Sequence, residues 1–205
     1  PIGGVALDAG DDALPERTRV AAQQADAVLL GAVGLPKYDG QPGNRRPEKG
    51  LLDLRKALGV YANLRPVRAV PALAALSPLK SELLDGVDLI VVRELLSDVY
   101  FGEPRAIEGD RAYNTMSYTK AEVRRVAKLA FELAWRRRNH VYSIDKANVL
   151  EVSQLWRATV KEVHQESYSD VKLEHQYVDS AAMDLVKNPK KFDVIVTGNL
   201  FGDIL

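Results

Sequence analysis

Three arginines give the first indication of chemistry in this chain. Arg55 follows Glu48-Lys49-Gly50-Leu51-Leu52-Asp53-Leu54, Arg65 stands in Asn63-Leu64-Arg65-Pro66, and Arg93 ends the apolar run Val87-Asp88-Leu89-Ile90-Val91-Val92. A guanidinium is a planar fork that can give a carboxylate two parallel hydrogen bonds. Several forks aimed at one point match a small diacid. Leu51 and Leu52, one turn before Arg55, point to an apolar branch on that ligand. Arginines at element ends are commonly solvated or form weak surface ion pairs, so the reading depends on elements that bring them together.

Other side chains could do chemistry beside them. Lys146, in Asp145-Lys146-Ala147-Asn148, falls at a strand-to-helix junction. It reads either as a salt bridge to Asp145 or a surface residue, or as a base whose pKa is lowered by the nearby arginines. Tyr100 is a packing residue or a proton donor. Asp179 follows the strand ending at Val178, and Asp203 follows Gly198-Asn199-Leu200-Phe201-Gly202. Aspartates at such strand ends suit a hard cation such as Mg²⁺, although their spacing alone proves no site. No HExxH, EF-hand, P-loop or GxSxG pattern occurs, and Gly3-Gly4 and Gly31-Ala32-Val33-Gly34 do not form the dinucleotide fingerprint.

The elements that must position these groups alternate. An alanine-rich helix after Pro15 ends near Ala25, and Ala27–Gly34 reads as a buried strand. A Gly/Pro loop over 36–47 precedes a helix over Gly50–Leu58 and a strand over Val60–Pro66. A short helix from Ser77 to about Leu84 leads to the strand ending at Arg93. Val99-Tyr100-Phe101 and Ala112–Met116 read as two β arms around the tip Glu108-Gly109-Asp110, a ribbon suited to subunit pairing. Thr119-Lys120-Ala121-Glu122 is a capping box. The helix behind it places Val123, Val126, Ala127, Ala130, Phe131, Ala134 and Trp135 on one face. Arg136-Arg137-Arg138 then act as cations against the helix end. Strands at 141–144, 171–178 and 192–197 alternate with helices at about 148–163, where Asn148 can be the cap, and 180–187. The sum is an α/β protein with a partly parallel sheet flanked by helices and a protruding β arm.

Composition sets outer bounds. With 205 residues, 46% hydrophobic and 27% charged, the chain has an ordinary globular composition. Lys+Arg and Asp+Glu both total 28, so bulk charge points to neither nucleic acid nor a membrane surface. The absence of cysteine excludes disulfides, thiol catalysis and cysteine-held metals, and fits a cytoplasmic protein. Both ends read as cut, which makes the sequence an internal segment of a longer protein.

Taken in order, the wording Arg46–Lys56, Tyr61–Pro66, Val91–Glu94, Val99–Arg105, Asp145–Val149, Tyr177–Asp179 and Thr197–Leu205 resembles the 3-isopropylmalate dehydrogenases. These are the leucine-biosynthesis branch of the β-decarboxylating dehydrogenases. The resemblance implies a first domain, part of the cofactor domain, over 1–62. It implies a second over 63–205, with a dimerisation arm at about 97–118. It implies NAD, Mg²⁺ or Mn²⁺, and a homodimer with shared active sites. By it, Arg55, Arg65 and Arg93 hold the malate carboxylates, and Leu51 and Leu52 meet the isopropyl branch, with Val149 from the second subunit. Glu48 and Asn148 lie near the cofactor. Asp203 and, across the dimer, Asp179 bind the metal. Lys146, also from the partner, helps remove the 2-hydroxyl proton, and Tyr100 protonates the enol carbon. An isocitrate-type enzyme would need a polar group where the leucines stand; a D-malate or tartrate relative is the nearer alternative. A non-catalytic dimerisation module is the alternative for the isolated segment. The sequence departs from the family's usual wording at Gly34-Leu35-Pro36 and at Leu96-Ser97-Asp98, where a threonine-glycine pair is common. The family's opening strand, third metal aspartate and adenosine loops lie outside it.

Overall fold

The computed structural model describes residues 1–205, the side chain of Asn44 apart. They form two units, Pro1–Val60 and Tyr61–Leu205. The first holds α1 (Gly4–Asp8), α2 (Glu16–Gln24) and α3 (Pro47–Leu58). The last of these starts one turn before the expected Gly50, because Pro47 takes the first helical position, where its fixed φ fits and no N–H is needed. Glu48 in the first turn and Arg55 and Lys56 in the last match the helix dipole. Gly59, at φ 63, ends the helix in the left-handed conformation. Gly50 is required by close approach, since a Cβ there would lie 2.2 Å from the Ala13 carbonyl oxygen.

The expected strand over Ala27–Gly34 does not form. These residues are irregular and mostly exposed, Leu29 completely. An apolar run becomes a strand only where a neighbouring backbone takes up its N–H and C=O groups. No strand lies within this unit among the described residues.

The second unit contains β1 (Ala62–Arg68), β2 (Asp88–Glu94), the ribbon β3 (Ala106–Glu108) and β4 (Arg111–Tyr113), β5 (His140–Asp145), β6 (Lys172–Tyr177) and β7 (Val194–Thr197). Between them run α4 (Ser81–Leu84), α5 (Lys120–Trp135), α6 (Glu151–Ser167) and α7 (Val178–Lys187), with α8 (Asn199–Ile204) after β7. The main sheet has the order β1-β2-β7-β5-β6, with β1 antiparallel and all other pairs parallel.

The strands β2, β5 and β7 are buried on both faces, so their side chains alternate between two cores. Ile90, Val92, Val141, Val194 and Val196 meet α5 and α6 through Val126, Phe131, Trp156 and Val160. Leu89, Val91, Ile144 and Ile195 join Ala181 and Phe192 on the opposite face. The capping box forms as expected, with Thr119 and Glu122 each accepting from the other's backbone N–H.

Three local expectations need correction. Val99-Tyr100-Phe101 is not a strand; residues 98–100 form a single 3₁₀ turn, and the ribbon pairs only Ala106–Glu108 with Arg111–Tyr113. Asn148 is not the cap of α6. That position is Leu150, and the Asp145 carboxylate takes the Ala147 N–H instead. Arg137 and Arg138 do more than face a helix end. Arg137 Nε donates to the buried Asp193 at 2.8 Å and its Nη2 to Asp88 at 2.7 Å, while the Arg138 N–H donates to Asp193. A buried carboxylate must be paired, and nothing in the residues around Asp193 marks it as buried.

Candidate functional site

The sheet register brings the first group together. In the β1–β2 ladder Asn63 stands opposite Arg93 and Arg65 opposite Val91. Residues two apart share a sheet face, so Asn63, Arg65 and Arg93 project to the same side. In the parallel β2–β7 ladder Arg93 pairs with Thr197, and the chain turns there through Gly198 into α8. The carboxyl end of a parallel sheet is where such folds bind ligands.

There, Arg65 and Arg93 converge on one carboxylate. Arg65 Nη2 donates to Asp203 Oδ1 at 3.0 Å, and Arg93 Nη1 donates to the same oxygen. The Tyr100 hydroxyl donates to Asp203 Oδ2 at 2.5 Å, and the Arg93 guanidinium lies over the Tyr100 ring, 5.3 Å from its centre. Arg93 is buried, whereas the Asp203 side chain is 41% exposed. The cluster is therefore rooted in the protein and open at one side.

Electrostatics fix the protonation states. Partial burial opposes the charge on Asp203, but the Tyr100 hydrogen bond and the Arg93 and Arg65 charges outweigh it and hold its pKa below the ordinary carboxylate value. Tyr100 moves the other way. Burial and its bond to the Asp203 carboxylate raise its pKa, so its proton stays on at neutral pH.

A supporting layer was missed by sequence reasoning. Asn199 is fully buried, and its Oδ1 accepts from Arg93 Nε at 2.9 Å and Nη2 at 2.7 Å. Its Nδ2 donates to the Ser97 carbonyl at 3.0 Å, and its N–H donates to the Tyr118 hydroxyl at 2.8 Å. Asp98, one of the positions where the sequence departs from the family, is buried at φ 75, a left-handed backbone uncommon for a residue with a side chain. Its carboxylate accepts the Val99 N–H at 2.7 Å, the Leu200 N–H at 3.1 Å and the Tyr118 hydroxyl at 3.2 Å, which ties the Tyr100 turn to α8. Gly202 admits the stem of Arg93, because a Cβ there would lie 2.7 Å from Arg93 Cγ. Gly102 admits the close passage of the Thr115 backbone, because a Cβ there would lie 1.9 Å from the Thr115 carbonyl oxygen. The signals available were Asn199 next to a glycine, which reads as turn chemistry, and the unusual Ser97-Asp98 pair.

A second group sits at the carboxyl ends of β5 and β6, where Asp145 pairs with Tyr177. Lys146 donates to Asp179, and the lysine also lies over the Tyr177 ring at 5.7 Å. The expected partner Asp145 is instead buried and held by Arg157, at 2.8 and 2.7 Å. Lys146 therefore meets an acid here, and the arginine field expected to act on it is replaced by Asp179. That hydrogen bond, aided by the backbone N–H groups at the start of α7, lowers the Asp179 pKa. No hydrogen bond or ion pair among the described residues joins this group to Arg65, Arg93, Tyr100 or Asp203.

The remaining candidates are placed as follows. Leu51, Leu52 and Arg55 are half-buried on α3, three and four residues apart and so on one helix face, in the first unit. Glu48 is exposed in the first turn of that helix, and a Cβ on Gly34 would come 3.3 Å from its Oε1. Asn148 and Val149 are exposed in the turn before α6. No group of three or more His, Cys, Asp or Glu side chains that could hold a metal forms among the described residues. The donor chemistry nonetheless fits a hard cation at Asp203 and Asp179, whose carboxylates are ionised and partly exposed. No helix among the described residues is long and apolar enough to cross a membrane.

The chain is a member of the isocitrate/isopropylmalate dehydrogenase family, whose model matches residues 1–205. The chain is 56% identical over 208 residues to the 3-isopropylmalate dehydrogenase of Aquifex aeolicus, covering all of this chain and 57% of that one. It is 57% identical over 207 residues to that of Deinococcus radiodurans, covering 59% of it. The chain thus spans under two thirds of the length of the curated relatives it matches. Among solved structures, the TT0538 protein of Thermus thermophilus superposes at a TM-score of 0.84 with 31% identity, over 99% of this chain and 39% of that one. Isocitrate dehydrogenase of Methylococcus capsulatus gives 0.82 with 30% identity, over 99% of this chain and 57% of that one.

Proposed function

We propose that the protein oxidises and decarboxylates (2R,3S)-3-isopropylmalate to 4-methyl-2-oxopentanoate and CO₂ with reduction of NAD⁺, the leucine-pathway reaction. The observation that carries this reading is the convergence of Arg65, Arg93 and Tyr100 on the partly exposed Asp203 carboxylate at the carboxyl end of the sheet. The relatives' name and the leucine pair, apolar where a tricarboxylate would need a polar group, set the branch.

The roles follow the family likeness, residue by residue. Arg55, Arg65 and Arg93 take the two carboxylates of the diacid. Leu51 and Leu52 take its isopropyl group, with Val149 of a second copy. Glu48 and Asn148 are the cofactor contacts; both are exposed, so neither is used up by folding. Asp203, with Asp179 of a second copy, holds Mg²⁺ or Mn²⁺. When bound, the cation supplies a Lewis acid at the substrate hydroxyl and NAD supplies the hydride acceptor.

The protein's own groups handle position and protons. The arginine forks fix the diacid in one orientation, which removes translational and rotational freedom before reaction. Lys146 removes the 2-hydroxyl proton. In this structure Lys146 donates to Asp179, and that hydrogen bond must open before its nitrogen can reach a substrate hydroxyl. Tyr100, its proton held on at neutral pH, gives that proton to the enol carbon once CO₂ has left. The exposed ribbon β3–β4, with Ile107 85% accessible, is the surface proposed to pair two copies and complete each site.

The test is product analysis. The full-length protein, given 3-isopropylmalate, NAD⁺ and Mg²⁺, should form NADH, CO₂ and 4-methyl-2-oxopentanoate in equal amounts. NADH formed without CO₂ would overturn the decarboxylating mechanism.

A further inference from the structure

Arg93 has five N–H donors, and the structure accounts for three of them. Nε and Nη2 each donate to Asn199 Oδ1, and Nη1 donates to Asp203. The terminal nitrogens carry further N–H groups, on the side that Tyr100 also borders. The guanidinium cannot turn freely, because the residue is 2% exposed and its stem is confined by Gly202. The acceptor is locked as well. Asn199 donates Nδ2 to the Ser97 carbonyl, and its N–H goes to Tyr118, whose hydroxyl lies 3.2 Å from both Glu94 and Asp98.

The type of acceptor matters. An amide oxygen orients a guanidinium without cancelling its charge, whereas a carboxylate at the same place would neutralise it and compete with an anionic ligand. We propose that Asn199 is a positioning residue for substrate binding: its side-chain amide fixes the plane of the Arg93 guanidinium without adding a second negative charge to that of Asp203, leaving the remaining terminal N–H groups for a substrate carboxylate. This rests on the proposed diacid chemistry and adds a residue to which that chemistry assigned no role. Asn199 touches no reacting atom and acts only through Arg93.

A double-mutant cycle tests it in the full-length protein. Asn199→Ala should raise KM for 3-isopropylmalate by about tenfold with kcat within about threefold, the signature of lost uniform binding. Arg93→Lys removes the fork that Asn199 orients. In that background Asn199→Ala should add less than about twofold, because contacting residues that act as one unit are not additive. Asn199→Ser, which keeps an oxygen acceptor, should recover part of the loss. An equal KM loss in both backgrounds, or a loss confined to kcat, would overturn the proposal and leave Asn199 a purely structural residue. If Asn199→Ala fails to fold, the serine variant carries the cycle, with the same two outcomes. If the wild type prefers D-malate, the substrate reading fails while the cycle on D-malate still decides the role of Asn199, since the carboxylate contact is common to both acids. Turnover of no diacid by the wild type would sink both.

Discussion

Replacing Gly202 with alanine sets two effects of known sign against each other. Gly202 lies within α8, where alanine is favoured over glycine by about 1 kcal/mol. The added Cβ would lie 2.7 Å from Arg93 Cγ, 2.8 Å from Arg93 Cβ and 3.1 Å from Thr197 Cγ2. Comfortable carbon contacts are about 3.5–4.0 Å, so the Arg93 stem must retreat by roughly an ångström. It has nowhere to go, being buried with its guanidinium tied to Asn199 and Asp203. Overpacking of this kind costs about 1–3 kcal/mol, which exceeds or cancels the helix gain. Net destabilisation should be at most about 2 kcal/mol by these two terms. The functional loss should be larger than the stability loss, because a misplacement of about 1 Å at a positioning group can cost up to about a hundredfold in rate. Urea denaturation and steady-state kinetics on the full-length Gly202→Ala variant measure both. A variant with a raised denaturation midpoint and an unchanged KM would show that the helix gain is unopposed and that Arg93 is not where it is argued to be.

Other consequences are open to equally direct measurement. Lys146→Met should abolish turnover while circular dichroism stays native; an intact kcat would remove the lysine from proton transfer. Leu51→Glu should weaken 3-isopropylmalate far more than D-malate, and equal losses on both acids would argue against contact with the branch. His175 gives a pH effect. Both its ring nitrogens are buried without partners, and burial, with the charges of Arg157, Lys161 and His164 behind it, lowers its pKa to about 4. The unfolded chain therefore takes up this proton near pH 6.5, and the folded protein only near 4. Stability should fall as pH drops through that window, by about 3 kcal/mol at most and nearer 2 after solvent screening. Denaturation midpoints at pH 7.5 and 5 should differ less in His175→Phe than in the wild type; identical slopes would assign the effect elsewhere.

What could be read from the sequence followed where local rules suffice. Helix α5 was legible because Thr119 and Glu122 mark its start and seven apolar residues share the 3.6-residue period. Strand β2 was legible from the apolar run Leu89–Val92 that ends at Arg93. Ala27–Gly34 has the same look but no strand partner within its unit, and hydrophobicity alone does not supply one. The arginines were legible as candidates from their residue type and their places at element ends; the meeting of two of them on Asp203 was not. Arg65 and Asp203 are 138 positions apart, and their meeting depends on the order of β1, β2 and β7, which no spacing encodes. Asn199, Tyr118 and Asp98 were not legible at all, because a buried polar residue is defined by partners distant in sequence. Lys146 shows the same limit: its acid lies 33 positions on at Asp179, whereas the adjacent Asp145 is committed to Arg157.

The central claim is that three arginine forks and an apolar pair select a branched diacid. The most direct test is kcat/KM for NADH formation by the full-length protein, with Mg²⁺, across 3-isopropylmalate, D-malate, tartrate and isocitrate. A preference for 3-isopropylmalate is the expected result. A preference for isocitrate would contradict the apolar reading of Leu51 and Leu52, and a preference for D-malate or tartrate would keep the arginine site but remove the branch contact.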